Sequence, residues 1–365
     1  MTTVALTGAG GFLGWHTRAA AHAQGIDARP VPLGDAFVPE SAADAISGAD
    51  RFIHIAGINR APEEEVLAGN VRLAEQAASV LERAERPPAT VAYANSIQSG
   101  NGTPYGHGKQ AAADVLRAAA ERIGADFVDL RLPNLFGEHG RPFYNSVVAT
   151  FSHQLAIGDA PHVDQDRELV LLHAQYAADA LLGTLDGVGL AGSEVRESVT
   201  GLLTRLSALA ATYTHGGEIP DLSDAFERDL FNTFRGAAFE EVTPIRPDRH
   251  ADARGSFFEI VRSHGGAGQT SFSTTAPGIT RGQHYHRRKV ERFTVLSGEA
   301  VISLRRLFTT EVLEFRVSSD SPASIDMPTM WAHNITNVGD SELYTAFWSN
   351  ELFDPERPDT IAEPV

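Results

Sequence analysis

Along its first half the chain alternates short apolar runs with longer stretches rich in Ala, Leu, Arg and Glu. Val4–Thr7, Arg51–Ala56, Thr90–Asn95 and Phe127–Leu132 read as buried strands. Phe12–Gln24, Asn70–Ala84 and Tyr105–Ile123 read as helices between them. Such alternation predicts a parallel sheet covered by helices on both faces. From Gly140 to about Thr233 the pattern is mixed and mostly helical. After Arg235 short alternating segments take over: Phe257–Val261, Thr270–Ser273, Arg292–Leu296, Ala300–Leu304, Glu311–Val317 and Leu343–Trp348. Turn signals such as Pro277-Gly278, Ser297-Gly298 and Gly339-Asp340 separate them, which predicts a small all-β barrel or sandwich. The expected architecture is an α/β domain over residues 1–240, then an all-β domain over residues 241–365. Thr243–Arg254 is expected to lead into the barrel.

Composition narrows the function. The 365 residues carry a formal net charge of −17, which argues against nucleic acid as a partner, because phosphate contacts need clustered Lys and Arg. There is no cysteine, so disulfides and thiolate chemistry are excluded and any metal must take N and O ligands. No apolar run approaches the ~18–20 residues that span a bilayer, and the N-terminus lacks the basic lead of a signal peptide. The expectation is a cytoplasmic chain with no membrane partner.

Thr7-Gly8-Ala9-Gly10-Gly11-Phe12-Leu13-Gly14 follows the first strand and opens the first helix. Gly8 permits a tight turn, Gly11 lets backbone approach a pyrophosphate, and Gly14 allows close helix–strand packing, while the helix N-terminus favours phosphate charge. This places a dinucleotide on a Rossmann-type doubly wound sheet. Asp35 lies 21 residues beyond Gly14, near the end of the second strand, where an acid suits the free 2′-hydroxyl of NAD; a solvated loop aspartate is the alternative. Farther on, Tyr105 and Lys109 share one helix face at i,i+4. An ammonium beside a phenol favours the phenolate, so Tyr105 is expected to exchange a proton nearer neutral pH. Ser96, at a strand end, can polarise a carbonyl.

With TGAGGFLG, Ala56-Gly57, Asn70, Ser96 and the Tyr105/Lys109 pair, the first ~235 residues resemble the extended short-chain dehydrogenase/reductases. The resemblance implies a nicotinamide cofactor held by Gly8, Gly11, Phe12, Leu13, Asp35, Ala56, Gly57, Tyr105 and Lys109. It also implies a sugar nucleotide over residues ~130–235, with Asn134, Asn145 and Ser146 as substrate contacts. The family often carries Tyr-Val-Asp-Asp after the next strand; this chain has His173-Ala174-Gln175-Tyr176 there.

In the last third, Gly278, His284-Tyr285-His286, Glu291 and Gly298 are followed by Pro328, His333 and Asn337. Alternate strand residues share a face, so His284 and His286 point the same way. Three imidazoles and a carboxylate suit Zn²⁺, Fe²⁺, Mn²⁺ or Ni²⁺. The spacing resembles the two cupin motifs, except that Met330 stands where a glycine is usual. Arg254-Gly255-Ser256-Phe257 and Arg281-Gly282-Gln283-His284-Tyr285 also resemble deoxysugar 3,5-epimerases, which use the first histidine as a metal-free base. Both roles for His284 stay open, with Tyr285 and Lys289 as further candidates for a base.

Taken together, a reductase followed by a cupin resembles the CapF-type bifunctional capsule-biosynthesis enzymes. The match includes Ser96-Ile97-Gln98, Arg141–Val147, Gly278–His286 and the tail Phe353–Thr360. The family implies a homodimer acting on a UDP-linked 2-acetamido-2,6-dideoxy-4-ketohexose. The cupin would epimerise C3 and the reductase would reduce C4 with NADP(H), NAD(H) being possible, toward UDP-N-acetyl-L-fucosamine. It also implies a divalent metal, zinc foremost, at His284, His286, Glu291 and His333. The alternative is a nucleotide-sugar reductase, epimerase or dehydratase whose cupin only binds sugar. A non-enzymatic sugar sensor is opposed by the intact Ser96, Tyr105 and Lys109.

Overall fold

A computed structural model describes residues 2–365. It divides into two compact units, residues 1–136 with 169–196, and residues 137–168 with 197–365.

The first unit carries a five-stranded, all-parallel sheet in the order β2-β1-β3-β4-β5, with β1 Thr3–Leu6, β2 Asp27–Pro30, β3 Arg51–His54, β4 Thr90–Ser96 and β5 Asp126–Leu132. Helices α1 (Phe12–Ala23), α2 (Pro39–Ile46), α3 (Glu63–Leu81) and α4 (Pro104–Ile123) make the crossovers. The sheet is buried on both faces by two apolar clusters. One holds Phe52, Val91, Leu81 and Leu116; the other holds Leu6, Ile53, Leu172 and Leu181. That is why its strands read as continuous apolar runs. The C-terminal ends of β1 and β4 carry the glycine loop and Ser96.

In the second unit two antiparallel sheets face each other, an all-β region with the strand arrangement of a cupin barrel. One sheet orders Gln269–Thr275, Leu343–Ser349, Glu291–Ser297 and Ser324–Met327. The other orders Leu313–Ser318, Glu299–Arg306, Trp331–Asn337, Thr280–Tyr285 and Ile361–Ala362. Phe293, Val295, Ile302, Leu304, Ile325 and Ile335 fill the space between, and Phe239 from helix Ala225–Val242 closes one end. The expected strand Phe257–Val261 is instead Gly255–Phe257, hairpinned with His250–Asp252; residues beyond Phe257 leave the ladder.

Candidate active site

At the mouth of the parallel sheet the glycines are needed sterically. Gly8 adopts φ +68°, and a Cβ there would lie 2.8 Å from the Ala56 amide nitrogen. A Cβ on Gly14 would lie 2.0 Å from the Gly8 carbonyl oxygen, so α1 can start this close to β1 only with glycine there. Gly11 sits at the N-cap of α1 with no side-chain acceptor, which leaves first-turn N–H groups available to a phosphate. The hydroxyl of Thr7 accepts from the amides of Ile55 (3.0 Å) and Ala56 (3.1 Å), tying the loop after β3 to the glycine turn. Asn70 fixes the other side by donating to the carbonyls of Ile58 and Val66, each at 2.7 Å. This cradle suits a dinucleotide pyrophosphate.

Ser96 ends β4 and is nearly buried; its Oγ accepts from the Gln98 amide at 3.1 Å and is hydrogen-bonded to Tyr105. Thr103 caps α4 by accepting from the Gly106 amide, which holds Tyr105 in the first turn. Ser96 and Tyr105 therefore meet, while the Lys109 ammonium is turned away from them. The electrostatics differ from expectation. Burial pushes the Tyr105 phenol up, with only the Ser96 hydrogen bond opposing it. Lys109 is spent elsewhere: its ammonium donates to the Ala94 carbonyl at 2.6 Å and lies 4.3 Å over the Tyr93 ring. Burial lowers it to about 7, with Asp129 opposing. A lysine depressed in this way is charged below that value and neutral above it. Reductase kcat/KM, which reports the free enzyme, is expected to fall as pH rises through about 7; a profile flat to pH 9 would show that the Lys109 charge is not needed.

Asp35 lies in the 3-10 turn Gly34–Ala36, beyond the end of β2 at Pro30, with its side chain fully exposed. Arg72, missed in the sequence, approaches it at 3.8 Å. Asn134 is exposed and donates to the Val170 carbonyl at 3.0 Å. Ser146 caps helix Val147–Ala156 through the Ala149 amide, with Asn145 just before it.

In the barrel, His284, His286, Glu291 and His333 converge, one ligand atom of each within 4.8 Å of the others. A Glu291 carboxylate oxygen lies 3.0 Å from His286 Nε2, 3.2 Å from His333 Nε2 and 3.9 Å from His284 Nε2. Two rings are oriented from behind. Nδ1 of His286 meets the Asp359 carbonyl at 2.6 Å, and Nδ1 of His333 meets the Trp331 carbonyl at 3.1 Å. A carbonyl can only accept, so each Nδ1 donates to it, and this aims each Nε2 at Glu291 and the centre. Burial lowers His333 to about 4, and the imidazoles hold Glu291 well below the usual carboxylate range. Three imidazoles around a carboxylate are a donor set that a divalent metal takes, so these residues fit zinc. Met330, in the place of the usual glycine, adopts φ 61°, buried and pinned where its amide donates to the His286 carbonyl at 2.7 Å. Of the other two candidate bases, Tyr285 is buried, and Lys289 is buried with its ammonium donating to the Pro358 carbonyl at 3.0 Å.

Known proteins share both halves. The NAD dependent epimerase/dehydratase family matches residues 76–182, and the polysaccharide biosynthesis C-terminal domain matches residues 250–361. A Pseudomonas aeruginosa protein described as UDP-2-acetamido-2,6-beta-L-arabino-hexul-4-ose reductase is 32% identical over 98% of both chains. The capsular polysaccharide assembling protein CapF from Staphylococcus aureus, a solved structure, is 32% identical over 99% of this chain and 100% of its own, with a TM-score of 0.62.

The chain belongs to the CapF family. It is therefore an enzyme of the NAD-dependent epimerase/reductase type in sugar biosynthesis, a class that uses a nicotinamide cofactor. UDP-glucose 4-epimerase from Thermotoga maritima, 16% identical over 66% of this chain with a TM-score of 0.51, shares the fold of the reductase part. No helix among the described residues is long and apolar enough to cross a membrane.

Proposed function

We propose that this CapF-family chain converts a UDP-2-acetamido-2,6-dideoxy-4-ketohexose in two steps, inverting C3 at the imidazole cluster and reducing C4 at the Ser96–Tyr105–Lys109 set, toward UDP-N-acetyl-L-fucosamine. The reading is supported by the convergence of His284, His286, Glu291 and His333 and by the Ser96–Tyr105 hydrogen bond, on a chain matched end to end by a protein described as a hexul-4-ose reductase. The division of labour follows domains 1–240 and 241–365, in a cytoplasmic homodimer.

When bound, the reduced nicotinamide supplies a hydride, and a zinc ion held by His284, His286, Glu291 and His333 supplies positive charge that polarises a ketone oxygen. The substrate is already primed for the first step, because a proton on C3 beside a C4 ketone leaves an enolate. In the second step Tyr105 Oη gives its proton to the C4 oxygen. Ser96, whose Oγ accepts from Gln98, would turn the O–H now shared with Tyr105 to that oxygen. Loss of the ketone removes the acidity at C3, so reduction locks the inverted centre. Asn134, Asn145 and Ser146 are assigned to the sugar nucleotide. NADP(H) is the assigned cofactor; the Arg72 guanidinium beside Asp35 offers the cation a 2′-phosphate requires.

A second reading makes His284 a metal-free base. It rests on this ring being the most exposed of the three, at 21%, and the farthest from Glu291.

Product analysis tests the two-step reading. The purified chain, the UDP-4-keto sugar and NADPH are expected to yield a C4 alcohol inverted at C3, read by proton coupling constants; a C4 alcohol with unchanged C3 would leave the barrel as a binding module. Parallel runs with NADH are expected to be slower, and a strong NADH preference would overturn the NADP(H) assignment.

A further inference from the structure

The metal-ligand cluster is closed from behind by the last segment of the chain. Asp359 adopts φ 45° and is 9% exposed. Its carboxylate accepts from three successive backbone amides, Arg287 (3.0 Å), Arg288 (2.9 Å) and Lys289 (2.8 Å), in the turn that directly follows His286. Its main-chain carbonyl takes the Nδ1 proton of His286 at 2.6 Å. One residue therefore fixes both the backbone after the ligand and the ligand's ring.

Flanking contacts hold it in place. Lys289 donates to the Pro358 carbonyl at 3.0 Å, and Arg288 donates to the Arg357 carbonyl at 3.0 Å and to Glu351 at 3.0 and 3.2 Å. Beyond it, Ile361–Ala362 pairs with the strand that ends at Tyr285, setting Ala362 opposite His284.

Resting on the metal-site reading above, we propose that Asp359 is a positioning residue for the metal centre, and that the Arg357–Glu363 segment is a clasp fixing the tautomer and aim of His286. Partners that orient a ligating imidazole typically change metal affinity 10–100-fold when removed. Asp359→Ala removes the carboxylate and disfavours the left-handed backbone that presents the carbonyl. Asp359→Asn keeps an acceptor oxygen and tolerates that backbone.

The test uses the full chain with zinc or cobalt(II) alone as probe. Asp359→Ala is expected to lose zinc affinity 10–100-fold in chelator competition and to alter the cobalt(II) visible spectrum, with Asp359→Asn recovering most of both. In the metal-free protein, the far-downfield proton resonance of the His286 ring N–H, assigned by its loss in His286→Ala, is expected to vanish in Asp359→Ala and persist in Asp359→Asn. Should Asp359→Ala fail to fold, Asp359→Asn and Lys289→Met, which cuts the ammonium tie to Pro358, carry the test through the same resonance and affinity. A parent chain that binds neither metal would overturn the metal-site reading, while the metal-free resonance still tests the clasp. Unchanged affinity together with an unchanged His286 proton in Asp359→Ala would overturn the clasp itself.

Discussion

Replacing Tyr105 by Phe is expected to cut NAD(P)H oxidation with the 4-keto sugar by 10²–10⁴-fold while leaving proton exchange at C3 intact. The lower bound is what a positioned general acid is ordinarily worth. The upper bound applies because Lys109, turned to the Ala94 carbonyl and the Tyr93 ring, is not placed to donate in its stead. The substitution removes one oxygen, hydrogen-bonded to Ser96, from a half-buried ring, so the fold should tolerate it. Stopped assays with and without NAD(P)H, plus a melting curve, check this. A turnover within threefold of the parent would show that Tyr105 is not the acid.

Asp326→Ala is expected to destabilise the second unit by about 3–5 kcal/mol, the usual cost of stranding one member of a buried ion pair. Arg292 and Asp326 face each other across adjacent strands, 2% and 1% exposed, with contacts of 2.6 and 3.0 Å. Asp326 also accepts from the Tyr213 hydroxyl at 3.0 Å, and Arg292 donates to the Gly217 carbonyl at 2.5 Å. Removing the carboxylate leaves a guanidinium and a phenol buried with one partner fewer each. Burial, the largest influence on the Tyr213 phenol, pushes it up and persists in the variant, so the ring does not ionise to compensate. The double change Arg292→Met with Asp326→Leu should recover much of the loss, since it strands no charge. Urea unfolding measures both, and a loss below 1 kcal/mol in the single variant would mean that water reaches the arginine.

Much of this was legible in the chain. The glycine loop and the His284–His286 pair are local features with fixed spacing, and a strand or a turn delivers them wherever the rest of the fold goes. The Ser96–Tyr105 contact was also legible, because one strand end and the start of one helix suffice to bring the two together. What escaped depends on distant pairing. Arg292 and Asp326 look like surface charges in a strand pattern, and only the register between their strands buries them together. Asp359 lies 73 residues from His286, and its short Pro-Asp-Thr setting carries no periodic signal. The Tyr105 phenol went the other way from expectation because one-dimensional spacing counts the nearby ammonium and misses the desolvation that burial imposes on both groups. Asp35 falls outside the ladder because Pro30 and Pro32 stop β2 early.

The central claim is that one chain holds two separable reactions on one ketone, and isotope exchange tests it most directly. The UDP-4-keto sugar is incubated in deuterated water without NAD(P)H, with the parent, Tyr105→Phe and Glu291→Gln chains. Deuterium is expected at C3 with the parent and with Tyr105→Phe, and its rate should fall at least tenfold with Glu291→Gln. No deuterium at C3 with the parent, or equal exchange in all three, would contradict the account.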